Sequence, residues 1–134
     1  MNLTLHSGLL EAMVKHFQGE LPHEGCGLLA GRDNLATRFM PITNRQASAI
    51  AFDMEPAELI PALRSIREAG ERLLAIGHSH PKGPASPSRR DIESAFYPEA
   101  AHIIVSLASL ENPVARGFRI VDGQVIDIEL HVIV

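Results

Sequence analysis

Residues 73–77, Leu-Leu-Ala-Ile-Gly, are continuously apolar and run directly into His78-Ser79-His80. A short apolar run ending on glycine suits a strand buried on both faces better than a helix. Such a strand must be covered above and below, so the chain is expected to fold as a mixed α/β (α+β) domain: a curved sheet holds this strand, and helices pack on it. On an extended segment alternate side chains share a face, so His78 and His80 point one way and Ser79 the other. Two imidazoles at the end of a buried strand can then share one ion.

Seven residues separate His80 from Ser88, and Asp91 lies three beyond, which places three possible zinc ligands and a hydroxyl within fourteen positions. Zinc takes neutral imidazole nitrogen at about 2.0–2.1 Å and carboxylate oxygen at about 2.0–2.2 Å, and a catalytic site uses three protein ligands plus water. Asp91 supplies an anionic third ligand. Without a metal, His-x-His is a pair of polar residues at a loop mouth, and Ser88-Arg89-Arg90-Asp91 is a helix capping box. Ser86-Pro87 offers a competing helix start, with Ser86 as N-cap and Pro87 at the first helical position. Ser88 and Asp91 then lie one turn apart on one face, available to a site. Spacing alone does not separate the two starts, but the conjunction of all four residues favours a metal centre.

The remaining segments supply cover. Leu9, Leu10, Met13, Val14 and Phe17 recur at helical spacing between His6 and Gly19, with Gly19 as the expected C-cap. Residues 24–31 and 35–42 read as two strands joined by Asp33-Asn34, and glycines at 25, 27 and 31 mark a strand that passes something at short range. Asp53 is the expected cap of a helix that buries Leu59, Ile60, Leu63 and Ile66 and closes at Gly70. A short helix is expected over 88–97 and a buried strand over 103–107. Two final strands, 116–121 and 124–134, flank the hairpin signal Asp122-Gly123. In the last of them Ile126, Ile128, Leu130, Val132 and Val134 alternate with Asp127, Glu129 and His131, which predicts one dry and one wet face.

The 134 residues make one domain, spanning 1–134, with 46% hydrophobic and 21% charged residues, a composition that excludes disorder. Twelve basic and sixteen acidic side chains give a net charge of −4 without long blocks of either sign, which disfavours nucleic acid and anionic membranes as partners. Cys26 is the one cysteine, no basic region leads into an apolar run, and no apolar stretch reaches the roughly 18 residues of a membrane span. A cytoplasmic protein is expected.

His78-Ser79-His80-Pro81, the seven residues to Ser88, and Ser88-x-x-Asp91 resemble the signature of the JAMM or MPN+ metalloprotease family. His23-Glu24-Gly25-Cys26-Gly27-Leu28-Leu29 resembles the upstream glutamate motif of its compact prokaryotic members. The resemblance covers nearly the whole chain. It implies an MPN-like fold, one zinc ion held by His78, His80 and Asp91, Glu24 as general acid/base, and Ser88 assisting at the oxyanion. It also implies a peptidase or isopeptidase that cuts an amide after the C-terminal glycines of a small ubiquitin-like sulfur-carrier protein. Family members often carry an aromatic residue before the His-x-His, where this chain has Ile76-Gly77. The insertions with which eukaryotic relatives grip ubiquitin do not fit a chain this short.

Read from the residues alone, zinc chemistry still requires a carboxylate to take a proton from water, and sixteen acids compete for that role. Glu24 stands out because it opens a glycine-rich strand that lets a substrate backbone approach; otherwise it is a solvated strand end. Cys26 as a thiol nucleophile loses to its reading as a small buried residue between glycines. His102 and His131 read as structural. Lys82, Arg89 and Arg90 read as a solvated rim, or as a lure for a carboxylate or acidic partner. Two other function classes compete: a silent metal-binding scaffold, against which the full ligand set argues, and zinc nucleobase deamination, which one cysteine excludes.

Overall fold

The apolar run at 73–77 lies within β4 (Arg72–His80), where every residue from Leu74 to His80 is buried. A computed structural model describes residues 2–134. Before β4 in the chain come β1 (Asn2–His6), α1 (Ser7–Glu20), β2 (Cys26–Arg32), β3 (Leu35–Ile42) and α2 (Pro56–Glu68). After it come α3 (Arg89–Glu93), β5 (Ala101–Ser106), β6 (Val114–Val121) and β7 (Gln124–Ile133). The expected curved mixed sheet is present, and it closes on itself as a barrel in the order β1-β3-β2-β4-β5-β6-β7. Pairing is parallel for β1 with β3, β1 with β7 and β4 with β5, and antiparallel elsewhere.

Alternation along β4 divides the core in two. Ala75 packs with Met13 and Phe17 of α1, Leu29, Ile103 and Val105 in one cluster. Ile76 packs with Cys26, Leu28, Ile42 and the α2 residues Ala62 and Ile66 in the other. Ile76 shares its face with His78 and His80, so the imidazoles emerge on the α2 side of the sheet. Glycine serves the opposite side: a Cβ on Gly25 would meet Phe17 Cδ1 at 2.6 Å, and one on Gly27 would meet Phe39 Cε1 at 2.5 Å.

Several local expectations are corrected. The N-terminal segment adds a further strand, β1, with Leu3 and Leu5 fully buried. Helix α1 runs through Gly19 and stops at Leu21, whose N–H bonds Gln18 O. Helix α2 takes Glu55 as its N-cap, because Asp53 is engaged by Arg45 at 2.7 Å. Ile60 faces outward, 57% exposed, and Ala62 takes its place in the core. Helix α3 ends at Glu93, short of Tyr97, and its N-cap is Ser88 rather than Ser86. The dry face of β7 is dry only at its centre: Ile128 and Leu130 pack on the core while Ile126, Val132 and Val134 are exposed. The hairpin loops hold as expected, with Asp33 and Asn34 at φ +52° and +62° in the two-residue geometry that matches strand twist.

Candidate metal centre

The end of β4 is built into the site by its two neighbours. Strand β2 places Cys26 opposite His78, and β5 runs parallel on the other edge with Ile104 opposite His78. Beyond Cys26 the two segments remain joined. Ser79 N–H donates to Gly25 O at 3.0 Å, and Gly25 N–H donates to Ser79 Oγ at 2.8 Å. The middle residue of His-x-His thus carries Glu24 to the mouth of β4, and what the glycine-rich strand passes at short range on this edge is the histidine strand.

Three donor atoms converge there. His78 Nε2 and His80 Nε2 lie 3.1 Å apart, and Asp91 Oδ2 lies 3.2 Å from the first and 3.0 Å from the second. A tetrahedral zinc site with bonds of about 2.0–2.2 Å spaces its ligand atoms about 3.3–3.6 Å apart, so the triangle needs to open by only a few tenths of an ångström to accept an ion. His80 Nδ1–H donates to Pro84 O at 2.7 Å, which leaves the Nε2 lone pair facing the triangle. Burial and chemistry of this donor set therefore fit a divalent metal.

Asp91 is presented by a capping box. Its backbone N–H donates to Ser88 Oγ at 3.1 Å, and its Oδ2 accepts from Ser88 N–H at 2.9 Å. The capping box and the carboxylate of the donor triangle are one structure, because the oxygen that accepts from Ser88 N–H also faces both imidazoles. Burial pushes the Asp91 carboxyl up, but the two imidazoles against it and the hydrogen bond from Ser88 N–H prevail and hold it well below the carboxylate range. Burial lowers His78, which favours the neutral, ligating imidazole.

Glu24 is 3% exposed, with Oε1 free of any hydrogen-bond partner. Burial pushes its carboxyl up to about 7, against the opposing pull of His80. A cavity of about 520 Å³ joins Glu24, His80 and Ser88, with Ile50, Lys82 and Pro84 on its walls. A second, of about 230 Å³, adjoins His78 and Asp91 and is lined by Phe52, Arg90, Tyr97 and His102. The two cavities flank the donor triangle.

The other singled-out residues separate cleanly. Cys26 is buried, its thiol donates to Ile42 O at 3.3 Å, and burial raises it to about 12, which removes it as a nucleophile. His131 sits at the surface beside Glu129, 2.9 Å away. His102 is buried against the smaller cavity and pushed down to about 4 by burial. Arg89 pairs with Glu93 on an exposed face, while Lys82 and Arg90 each line a cavity. Phe52 and Asn44 escaped the sequence reading. Phe52 stacks on His78 with centroids 4.6 Å apart and planes 27° apart, from a loop with no periodic signal. Asn44 bonds the Glu24 carbonyl at 2.9 Å, and Asn-Arg after an apolar strand signals only a turn.

Barrel, donor triangle and buried carboxylate together define a metal-binding α+β domain of the JAB/MPN class. The family model described as prokaryotic homologs of the JAB domain matches residues 6–121, and the chain belongs to that family. It is 33% identical over 133 residues to the CysO-cysteine peptidase of Mycobacterium tuberculosis, covering 98% of this chain and 91% of the relative. It is 31% identical over 111 residues to the desampylase of Haloferax volcanii, covering 78% and 80% of the two chains. A protein of Desulfitobacterium hafniense solved in solution superposes with a TM-score of 0.89 at 36% identity, over 97% of this chain and 92% of that one.

Proposed function

We propose that this chain, as a single domain over 1–134, is a zinc-dependent peptidase or isopeptidase that hydrolyses the amide after the C-terminal glycines of a small ubiquitin-like sulfur-carrier protein. The observation that carries the reading is the placement of a buried, unpaired carboxylate, Glu24, in the same cavity as His80 of the donor triangle. The chemistry named for the peptidase and desampylase relatives is the chemistry such a site performs. No described helix is long and apolar enough to cross a membrane, and the reading places the reaction in the cytoplasm, on a protein substrate and not a nucleic acid.

His78, His80 and Asp91 would hold one zinc ion. When bound, zinc supplies Lewis acidity, lowering the pKa of a water from about 15.7 to about 7 and polarising the scissile carbonyl. Glu24, free of competing hydrogen bonds, takes the proton from the attacking water and returns it to the departing amine. Ser88 uses its oxygen to accept from Asp91 N–H, so its hydroxyl hydrogen remains available to the developing oxyanion. A scaffold role leaves the buried carboxylate of Glu24 without purpose.

Metal analysis of the purified protein is expected to give one zinc per chain, and mass spectrometry to show release of a carrier ending in Gly-Gly from an amide conjugate. A chelator abolishes turnover and zinc restores it. Glu24→Gln lowers kcat by about 10²- to 10⁴-fold with zinc retained, and Ser88→Ala by about 10²- to 10³-fold. Zinc-free protein with full activity, or an active Glu24→Gln, refutes the reading.

A further inference from the structure

The segment between β3 and α2, residues 43–55, walls both cavities, with Ile50 at the larger and Phe52 at the smaller. Its shape hangs on one side chain. Asn44 Nδ2 donates to Glu24 O at 2.9 Å and to Ala51 O at 3.0 Å. Its Oδ1 accepts from Gln46 N–H at 3.1 Å and Asp53 N–H at 3.0 Å. A primary amide has two donor hydrogens and two acceptor lone pairs, and all four are used here. The amide orientation is thereby fixed, since a flip would set oxygen against two carbonyls and NH₂ against two N–H groups.

Glu24 is held at every backbone polar group and at no described point on Oε1. Its carbonyl is bound by Asn44, and its N–H donates to Ser48 O at 2.7 Å, within the same loop. Gly25, the next residue, is clamped to Ser79 of β4. With Oε1 unpaired, the direction of the carboxylate is inherited from the backbone of residue 24 rather than set by a partner at its tip. A displaced reacting group costs rate steeply: a misplacement of about 1 Å is worth about 10²-fold.

We propose that Asn44 is a positioning residue that sets the Glu24 carboxylate beside His80 through the backbone of residue 24. The proposal rests on the reading of Glu24 as the proton carrier. Asn44 touches neither the donor triangle nor the Glu24 carboxylate by any of its four hydrogen bonds; its direct route to the site is the bond to the Glu24 carbonyl, and the indirect route, through the loop that lays Phe52 on His78, is the one that the zinc count controls for.

A double-mutant cycle on the zinc-loaded protein separates this from a general structural role. Asn44→Ala is expected to lower kcat by about 10- to 100-fold, with KM changed less than threefold and zinc still at one per chain. In the Glu24→Gln background the same substitution is expected to cost less than a further twofold, because the group it positions is already gone. Equal losses in both backgrounds, a change confined to KM, or loss of zinc overturns the proposal. If Asn44→Ala does not fold, Asn44→Ser goes through the same cycle, and failure of both to fold overturns it too, as a residue needed for the fold. Full activity of Glu24→Gln alone would instead overturn the assignment of Glu24, a separate result.

Discussion

A carboxylate with 3% exposure and a bare Oε1 is destabilised in its charged form, and that cost is what suits it to the role of base proposed for Glu24. The carboxyl of Glu24 titrates at about 7 against an ordinary value of 4.5, chiefly through burial. An acid with a raised folded pKa favours folding fully only below its unfolded pKa, and loses that contribution as pH rises to the folded value. In zinc-free protein, Glu24→Gln is therefore expected to be more stable than the parent by up to about 3 kcal/mol at pH 8, with the gap closing by pH 4. Urea unfolding at the two pH values measures it, and a gap independent of pH sinks the assignment. With a cation bound nearby the carboxyl is drawn down, so the rising limb of kcat/KM against pH is expected between 4.5 and about 7. At this scale the histidines and Asp91 were legible because ligand chemistry demands particular side chains at particular spacing. Asn44 and Pro84 were not, because they act through hydrogen bonds to or from the backbone, and such bonds leave no pattern in residue types. Phe52 was invisible for another reason: its contact with His78 spans a loop whose path follows from Asn44 and not from any periodicity.

Elements were legible where burial is uniform and ambiguous where it changes along their length. Strand β4 is buried from Leu74 to His80, so its apolar run spoke plainly. Strand β7 alternates in sequence, yet its ends extend beyond the core, so alternation overstated its dry face. Ser88-x-x-Asp91 supported two readings that proved compatible, since one carboxylate oxygen serves both the cap and the triangle. Glycines divide in the same way, by surroundings rather than by sequence. A Cβ on Gly31 would lie 1.9 Å from Leu35 O and 3.1 Å from Ala36 Cα, backbone atoms held by the β2–β3 pairing. A Cβ on Gly19 meets nothing within 4 Å, and the residue is helical. Gly31→Ala is expected to destabilise the protein by about 3 kcal/mol, and Gly19→Ala to stabilise it by about 0.5–1 kcal/mol. Thermal unfolding of the pair is the check, and a neutral Gly31→Ala would mean that the hairpin yields more readily than a paired ladder should.

For the molecule as a whole, two hydrophobic clusters fill the barrel on either side of the sheet, and the barrel is expected to keep its fold when the metal is removed. The segment from Pro81 to Ser94 differs. Its polar hold on the barrel comes from Ser106 Oγ–H donating to Gly83 O at 2.7 Å, His80 donating to Pro84 O at 2.7 Å, and the approach of Asp91 to the two imidazoles, with Pro81 and Ala85 buried near its start. The first two bonds anchor its start, and the Asp91 contacts anchor α3, a five-residue helix none of whose residues is buried as a whole. A helix that short has little stability of its own. Metal bound to the folded form stabilises by mass action, about 4 kcal/mol at a thousandfold excess over the dissociation constant, and that gain is lost where the ligands are lost. Chelation is therefore expected to raise amide exchange across residues 86–94 while β4 and β5, buried throughout their paired length, keep their protection. Hydrogen exchange with and without chelator decides it. Uniform loss of protection would mean that the metal holds the barrel, and unchanged exchange at Asp91 and Ile92 would mean that the capping box alone holds α3 in place.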